Sequence, residues 1–458
     1  MAHSDQAVDP RSLPGPRTSP RAFDGGRLDT TARPFSPFVR WSAAGFLFLT
    51  AAAARGQTLA SSRNSRWSTA AELRIEDGHL VGPWRHRARP LIACYEGSFT
   101  QSHPTFREAA RRLARQIGGE AVILTPAQVR PSSEDENGAL LFPDGAPRLL
   151  LLIMPGGNAA WAMAELAGVS EPKRVEAMLA EREKFMVARA LARQAFDNGM
   201  NYLGVCGGFF IAASGYRVPE KVQVGWGLWP GKIGNIGPPR TPPFPDVIFD
   251  APEAAHPLVQ RWGVRLENME FNGGPIGIEE GVADTEYVGR YRGTQSRALD
   301  GERFLIAYQP KNRPHSGRCV LVTGHPELRH PEALLAMAWY AMDHEVAMPC
   351  RRLMIGEVIE ATIGDDQLHF YRLRPPTGGL VRVALAGLTA RVNLYWRKNL
   401  PPTPWRYDRA VSNVQALHPI LEFEANPQTD YFLAVHGAHD RLNGVRYVLA
   451  VGGGGVRP

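Results

Sequence analysis

Apolar and polar positions change their rhythm along this chain, and the changes divide it into parts. Over residues 89–346, short continuous apolar runs alternate with stretches of helical period. The runs at 91–95, 121–124, 149–154, 201–205 and 319–322 suit buried strands. Phe106, Ala110, Leu113 and Ile117 recur at helical spacing, which predicts a helix over 105–117. A long charged helix is expected from about 173 to 196, ended by Asn198-Gly199, and another over 332–344, with Pro331 fitting its first turn. This alternation predicts an α/β unit, a mostly parallel sheet flanked by helices on both faces. Over residues 352–458 the pattern becomes pairs of short β-type runs separated by turns, including 380–385, 431–435 and 445–451. That part is expected to be an all-β sandwich.

The start of the chain has neither pattern. Residues 1–60 read as a leader, beginning with a Pro-, Ser-, Arg- and Gly-rich stretch expected to be disordered. The apolar run from Ala43 to Ala54 has the length of a secretory h-region, with small residues for cleavage near Ala54 or Ala60. It is short for a membrane span, which needs about 20 residues. The expectation is therefore export to the periplasm or beyond, with no stable span after processing. The stretch before the run is long for a signal peptide, so translation starting near Val39 and an Ala-rich buried or disordered segment remain open alternatives. Residues 61–88 read as a linker.

A chain of 458 residues that is 44% hydrophobic can bury two cores. Its formal charge of +7 is concentrated in the leader, where nine Arg face four Asp over residues 1–66. The remainder carries no clustered Lys/Arg footprint, which argues against a nucleic-acid partner. Four cysteines neither demand nor exclude an oxidising compartment. Cys94 and Cys319 fall in strand candidates and read as core thiols, while Cys350 lies at the junction of the two folded parts.

Candidate chemistry gathers at strand ends. Gly204-Val205-Cys206-Gly207-Gly208 stands between a strand run and the helix-like run Phe209 to Ala213, which reads as a nucleophile elbow. An exposed sulfur at such a turn would be favoured as thiolate by the helix N-terminus, and the flanking glycines permit the tight turn. By itself the pentapeptide equally suits a small buried Cys. Thr323-Gly324-His325-Pro326-Glu327, directly after another strand, offers a base, His325, and an orienting carboxylate, Glu327. Pro155-Gly156-Gly157-Asn158 ends a third strand, and amides of Gly156 or Gly157 with that of Gly207 could form an oxyanion hole. With Gly97, these groups would meet at the carboxyl ends of a parallel sheet. The Gly/Pro-rich stretch 225–245 is expected to be a long loop roofing that site.

These motifs, together with Phe271-Asn272-Gly273-Gly274-Pro275 and Gly227-Leu228-Trp229-Pro230-Gly231, resemble the N-terminal domain of biotin–protein ligases, itself a class I glutamine amidotransferase-like domain. The resemblance covers about 89–346. It implies that fold, a Cys206-His325-Glu327 site and a place for Asn272 and Gly273 in the substrate or oxyanion pocket. No biotin-ligase catalytic domain follows, so biotin transfer is not implied. Val392-Asn393-Leu394-Tyr395-Trp396 through Tyr407-Asp408 resembles the bacterial pre-peptidase C-terminal domain, a secreted accessory module. Arg391 and Val392 replace the acidic residues which that family often carries there, so the resemblance implies no calcium site.

No phosphate-binding loop, dinucleotide fingerprint or zinc-ligand spacing is evident, and no cofactor or metal is expected. His103, His256 and His330 each precede a proline and read as helix-start or surface residues. Trp226 and Trp229 could line a pocket or pack their loop down. Two functions follow: a cysteine-dependent hydrolase or amidase acting on a small-molecule or peptide substrate, or a binding module that keeps the elbow without turnover.

Overall fold

The computed structural model describes residues 72–98, 100, 103–169, 182–218, 221–223, 225–236, 243–293, 297–414 and 418–453. The leader with its h-region, most of the linker and residues 173–181 of the expected long helix lie outside these. All described residues belong to one compact unit, Arg63–Pro458.

The chain enters through a hairpin of β1 (Arg74–Glu76) and β2 (His79–Gly82). Four of the expected buried strands follow as β3 (Leu91–Tyr95), β4 (Glu120–Leu124), β5 (Leu151–Met154) and β6 (Asn201–Val205). Between them run α1 (Pro104–Ile117), α2 (Ala159–Leu166) and α3 (Arg182–Asp197). His103 caps α1, its side chain accepting from the amide of Thr105, and Gly118 ends the helix in the left-handed region at φ 67°.

After β6 the chain departs from the expected pattern. The helix following the elbow, α4 (Gly207–Ala212), lasts six residues and passes straight into β7 (Ala213–Val218). With β8 (Lys221–Gln223), β9 (Trp229–Ile236) and β12 (Gly274–Ile276), β7 builds a separate small sheet. Within the Gly/Pro-rich stretch 225–245, residues 229–236 form a strand rather than a loop, because β7 and β12 satisfy the backbone of β9 on both edges, while 237–242 lie outside the described residues. Trp226 and Trp229 are fully buried and pack this region down, with the Trp229 indole donating to Thr285 at 3.1 Å.

The main sheet has nine strands. It adds β10 (Asp246–Ile248), β11 (Arg265–Leu266), β13 (Thr285–Arg292), β14 (Arg303–Tyr308) and β15 (Cys319–Val322) in the order β11-β10-β13-β14-β15-β6-β5-β3-β4. Strands β15, β6, β5, β3 and β4 are parallel, whereas β14, β13, β10 and β11 extend the sheet antiparallel. The expectation of a mostly parallel sheet is corrected to a mixed one. Of the antiparallel strands, β10, β11 and β13 are short or half-exposed, whereas β14 carries the buried run Phe304 to Ala307 beside β15.

Side chains alternate between two cores. Ile92, Cys94, Ile153, Leu203, Val320 and Val322 face α1 and the terminal helix α5 (Pro331–Met342). Ala93, Tyr95, Leu152, Tyr202, Cys319 and Leu321 face α2, α3 and α4. Burial holds Cys94 as a thiol, its pKa pushed up to about 12, and does the same to Cys319 more strongly.

Strand β16 (Val346–Pro349) returns to β2, and the sandwich begins at once. One sheet holds β17 (Arg351–Leu353), β19 (Leu368–Leu373), β21 (Asn393–Lys398), β22 (Arg409–Ser412) and β24 (Tyr431–His436). The other holds β18 (Val358–Ile363), β20 (Gly379–Ala386), β23 (Ile420–Ala425) and β25 (Val445–Gly453). A third core fills the space between them.

The sandwich docks on the α/β part along a seam. Backbone bonds link Ala88 to Asp366 and Leu368 to His86. Arg87 reaches Asp365 at 3.2 Å and Asp366 at 3.3 Å, and Arg148, almost wholly buried, reaches Asp135 at 3.4 Å and Asp365 at 3.2 Å. Burial still raises the pKa of Asp365 despite both cations. Removing one buried partner strands the others, so Arg148→Met should lower unfolding free energy by about 3–5 kcal/mol in a denaturant titration. A change within experimental error would show that the seam is not held by this network.

Candidate active site

The site is built by four neighbouring strands at their carboxyl ends. Cys206 follows β6, Gly156 and Gly157 follow β5, His325 follows β15, and Thr100, beyond the end of β3, bridges Gly157. Cys206 adopts φ 49° and ψ −103°, a conformation that non-glycine residues seldom take. Its amide donates to the Val322 carbonyl at 2.8 Å, pinning the turn to β15.

The glycines around it are required by close approach. A Cβ on Gly207 would lie 2.5 Å from the Gly157 oxygen and 2.9 Å from its nitrogen, and one on Gly208 would run into the Met154 carbonyl. Gly156 is confined in the same way: a Cβ there would lie 2.9 Å from His325 Cε1 and 3.3 Å from Cys206 Cβ. The glycines at 156 and 207 therefore let the loop after β5 pack directly against the elbow and His325.

His325 and Glu327 are both buried, and His325 Nδ1 bonds Glu327 Oε1 at 2.7 Å. The His325 amide donates to the Glu270 carbonyl at 2.9 Å, fixing the backbone behind the ring. The other ring nitrogen, Nε2, is buried, and with Nδ1 held by Glu327 it is the nitrogen left to interact with Cys206. Burial alone would depress the imidazole pKa, but interactions with Cys206 and Glu327 overcome it and raise the value to about 10.

The sulfur differs from expectation in two respects. Cys206 is buried, at 7% exposure, rather than standing free, and its Sγ donates to the Gly273 carbonyl at 3.4 Å. Gly273 thus lies in the site, its carbonyl accepting from the sulfur. That carbonyl is one acceptor open to the sulfur, while Cys206 and Glu327 are the partners that favour a charged His325 ring. Asn272 is already engaged, its side-chain amide donating to Glu270 Oε1 at 2.9 Å.

Two contributors were not legible in the motifs. Tyr291 is fully buried, its hydroxyl bonded to Thr323 Oγ1 at 2.9 Å and packed on Gly324, so it braces the turn that carries His325. Glu270 joins the Asn272 amide to Arg329, whose Nε lies 3.5 Å from its carboxylate. Neither has a signature spacing, since each arrives from a distant strand or loop. The helix-start histidines behave mostly as expected: His256 accepts from the Leu258 amide, but His330 bonds the Glu267 carbonyl instead of capping its helix. Among the described residues no cluster of three or more His, Cys, Asp or Glu is arranged to hold a metal ion, and no helix is long and apolar enough to cross a membrane.

No protein family matches the sequence, and no curated protein does. Similar solved structures include a glutamine amidotransferase, at 14% identity over 55% of this chain and 98% of that one with a TM-score of 0.32. PurLQS from Thermotoga maritima is similar at 14% identity over 56% of this chain and 97% of its own, TM-score 0.29. The pre-peptidase C-terminal domain of a collagenase from Bacillus anthracis is similar at 20% identity over 22% and 93%, TM-score 0.19. Likeness this remote carries no functional argument.

The raised pKa of His325 has a consequence for stability. A folded value of about 10 against an ordinary 6.5 means that the stabilisation is complete below about pH 6.5 and is lost as pH rises through about 10. Wild-type protein should therefore lose stability over that window relative to His325→Gln, measured by denaturant midpoints at successive pH values. Parallel curves would mean that His325 is not charged in the folded state.

Proposed function

We propose that the protein is a cysteine-dependent hydrolase or amidase on a glutamine amidotransferase-like fold, with Cys206 as nucleophile, His325 as base and Glu327 as orienter. The observation that carries this reading is the buried 2.7 Å bond that His325 Nδ1 donates to Glu327, which leaves Nε2 to interact with Cys206, a cysteine on a strained turn. In this mechanism His325 takes the Cys206 proton and the thiolate attacks a carboxamide carbon. Backbone around Gly156, Gly157 and Gly207 supports the oxyanion. As the C–N bond breaks, His325 returns the proton to the departing amine and leaves a thioester. Water, deprotonated by His325, then releases a carboxylic acid and restores the thiol.

The test begins with reactivity. Iodoacetamide should modify Cys206 fastest among the four cysteines, with Cys94 and Cys319 reacting only on unfolding, and the Cys206 rate should fall in His325→Ala. A panel of small carboxamides and peptide amides should release ammonia or amine with wild type and not with Cys206→Ala, while Glu327→Gln should retain activity reduced by about 10²–10⁴-fold. A Cys206 that stays inert in the folded protein, with ligand affinity unchanged in Cys206→Ser, would favour a binding module instead. The seating of the sulfur on Gly273 is the observation that favours that second reading.

We further propose export, on the strength of the h-region-like run ending near Ala54. The mature N-terminus of protein recovered outside the cytoplasm should fall between about residues 54 and 66 by mass spectrometry. Intact residues 1–37 on cytoplasmic protein would refute it.

A further inference from the structure

A cavity lies where the sandwich meets the segment leading into β3, at the amino ends of the parallel strands and so at the opposite end of the sheet from Cys206. Its volume is about 780 Å³, and Arg89, Arg391, Asn393, Trp405, His439 and Asp440 contribute to its lining. Its floor is rigid because Arg87, Asp365, Asp366 and His436 are already committed to one another in the seam, with His436 bonding Asp366 at 2.9 Å.

Three features point to a ligand. Asn393 is nine-tenths buried and its amide nitrogen donates to the Tyr395 hydroxyl at 3.0 Å, yet its Oδ1 is buried without a donor. His439 Nε2 is likewise buried, with only a weak backbone partner at Ile363. Trp405 is half-exposed at 50%, although an indole of that size normally finds a packing surface. Leaving a buried acceptor unpaired is destabilising, so a site that keeps one open is set to receive a donor.

The chemistry of the ligand follows from what the walls offer. An aromatic plate suits the apolar face of a ring, whereas Asn393 and His439 suit hydroxyl groups around its edge. Arg89 and Arg391 stand with Asp365, Asp366 and Asp440 on one lining, so cations and carboxylates are mixed and no strong field of either sign selects a highly charged molecule. We infer that this cavity binds a saccharide, its pyranose ring stacked on Trp405 and its hydroxyls donating to Asn393 Oδ1 and pairing with His439 Nε2.

The experiment titrates the full chain with chitotetraose, cellotetraose and maltotetraose, reading intrinsic tryptophan fluorescence and calorimetric heat. At least one should bind with a millimolar or tighter Kd. Trp405→Ala should weaken that binding at least tenfold, and Asn393→Asp, which keeps the shape of the side chain, should weaken it as well. Cys206→Ala should bind as wild type does, which separates this cavity from the elbow and makes the outcome independent of whether Cys206 is catalytic. Absence of binding by all three sugars, or binding untouched by Trp405→Ala in a variant whose unfolding midpoint matches wild type, would overturn the inference.

Discussion

The site rests on how closely two turns of backbone can approach. The loop after β5 and the elbow after β6 pass within contact distance because no side chain stands at Gly156, Gly207 or Gly208, and the sulfur-bearing residue is forced to a positive φ as a result. Neighbouring parallel strands put these loops side by side, and β15 on the other flank supplies both the acceptor for the Cys206 amide and the turn with His325. Strain of this kind persists only where the surroundings over-determine it. Here the two flanking strands and the carbonyls of Met154 and Gly157 do so.

What could be read from the chain was what is contiguous. The elbow, the His-Pro-Glu turn and the Gly-Gly loop are each local, so their residue types announced the turns before any fold was known. Strands buried on both faces announced themselves as apolar runs. Strands β10, β11 and β13 did not, since they are short or half-exposed and owe their pairing to partners far away in sequence, and the apolar run of β14 went unread. The strand β9 was hidden for a related reason: Gly231, Gly234 and Pro230 suggest a loop, and only its neighbours on both edges make it a strand. The Gly273 carbonyl beneath the sulfur, Tyr291 behind the histidine turn and the unpaired Asn393 acceptor depend on tertiary approach, which no spacing encodes.

The resting state of the site is a competition for one proton. Gly273 offers a weak, neutral acceptor to the thiol, while His325, oriented by Glu327 and already electrostatically primed, offers a strong one. A ligand that lifts the Asn272-Gly273 segment off the sulfur would tip the balance toward the imidazole, and the Glu270 side chain ties that segment to Arg329 two residues beyond Glu327. Substrate contact and proton position are thereby joined through a few side chains.

The seam between the two parts bears on how the protein is made. Arg148 belongs to the α/β part but meets one of its two carboxylates, Asp365, on a segment that leaves the ribosome some two hundred residues later. Arg87 waits longer still for Asp365 and Asp366. Until those residues emerge, the nascent α/β part holds cations whose burial is not yet compensated, so its last packing step cannot run ahead of translation. The seam can therefore close only after the sheet it seals is complete.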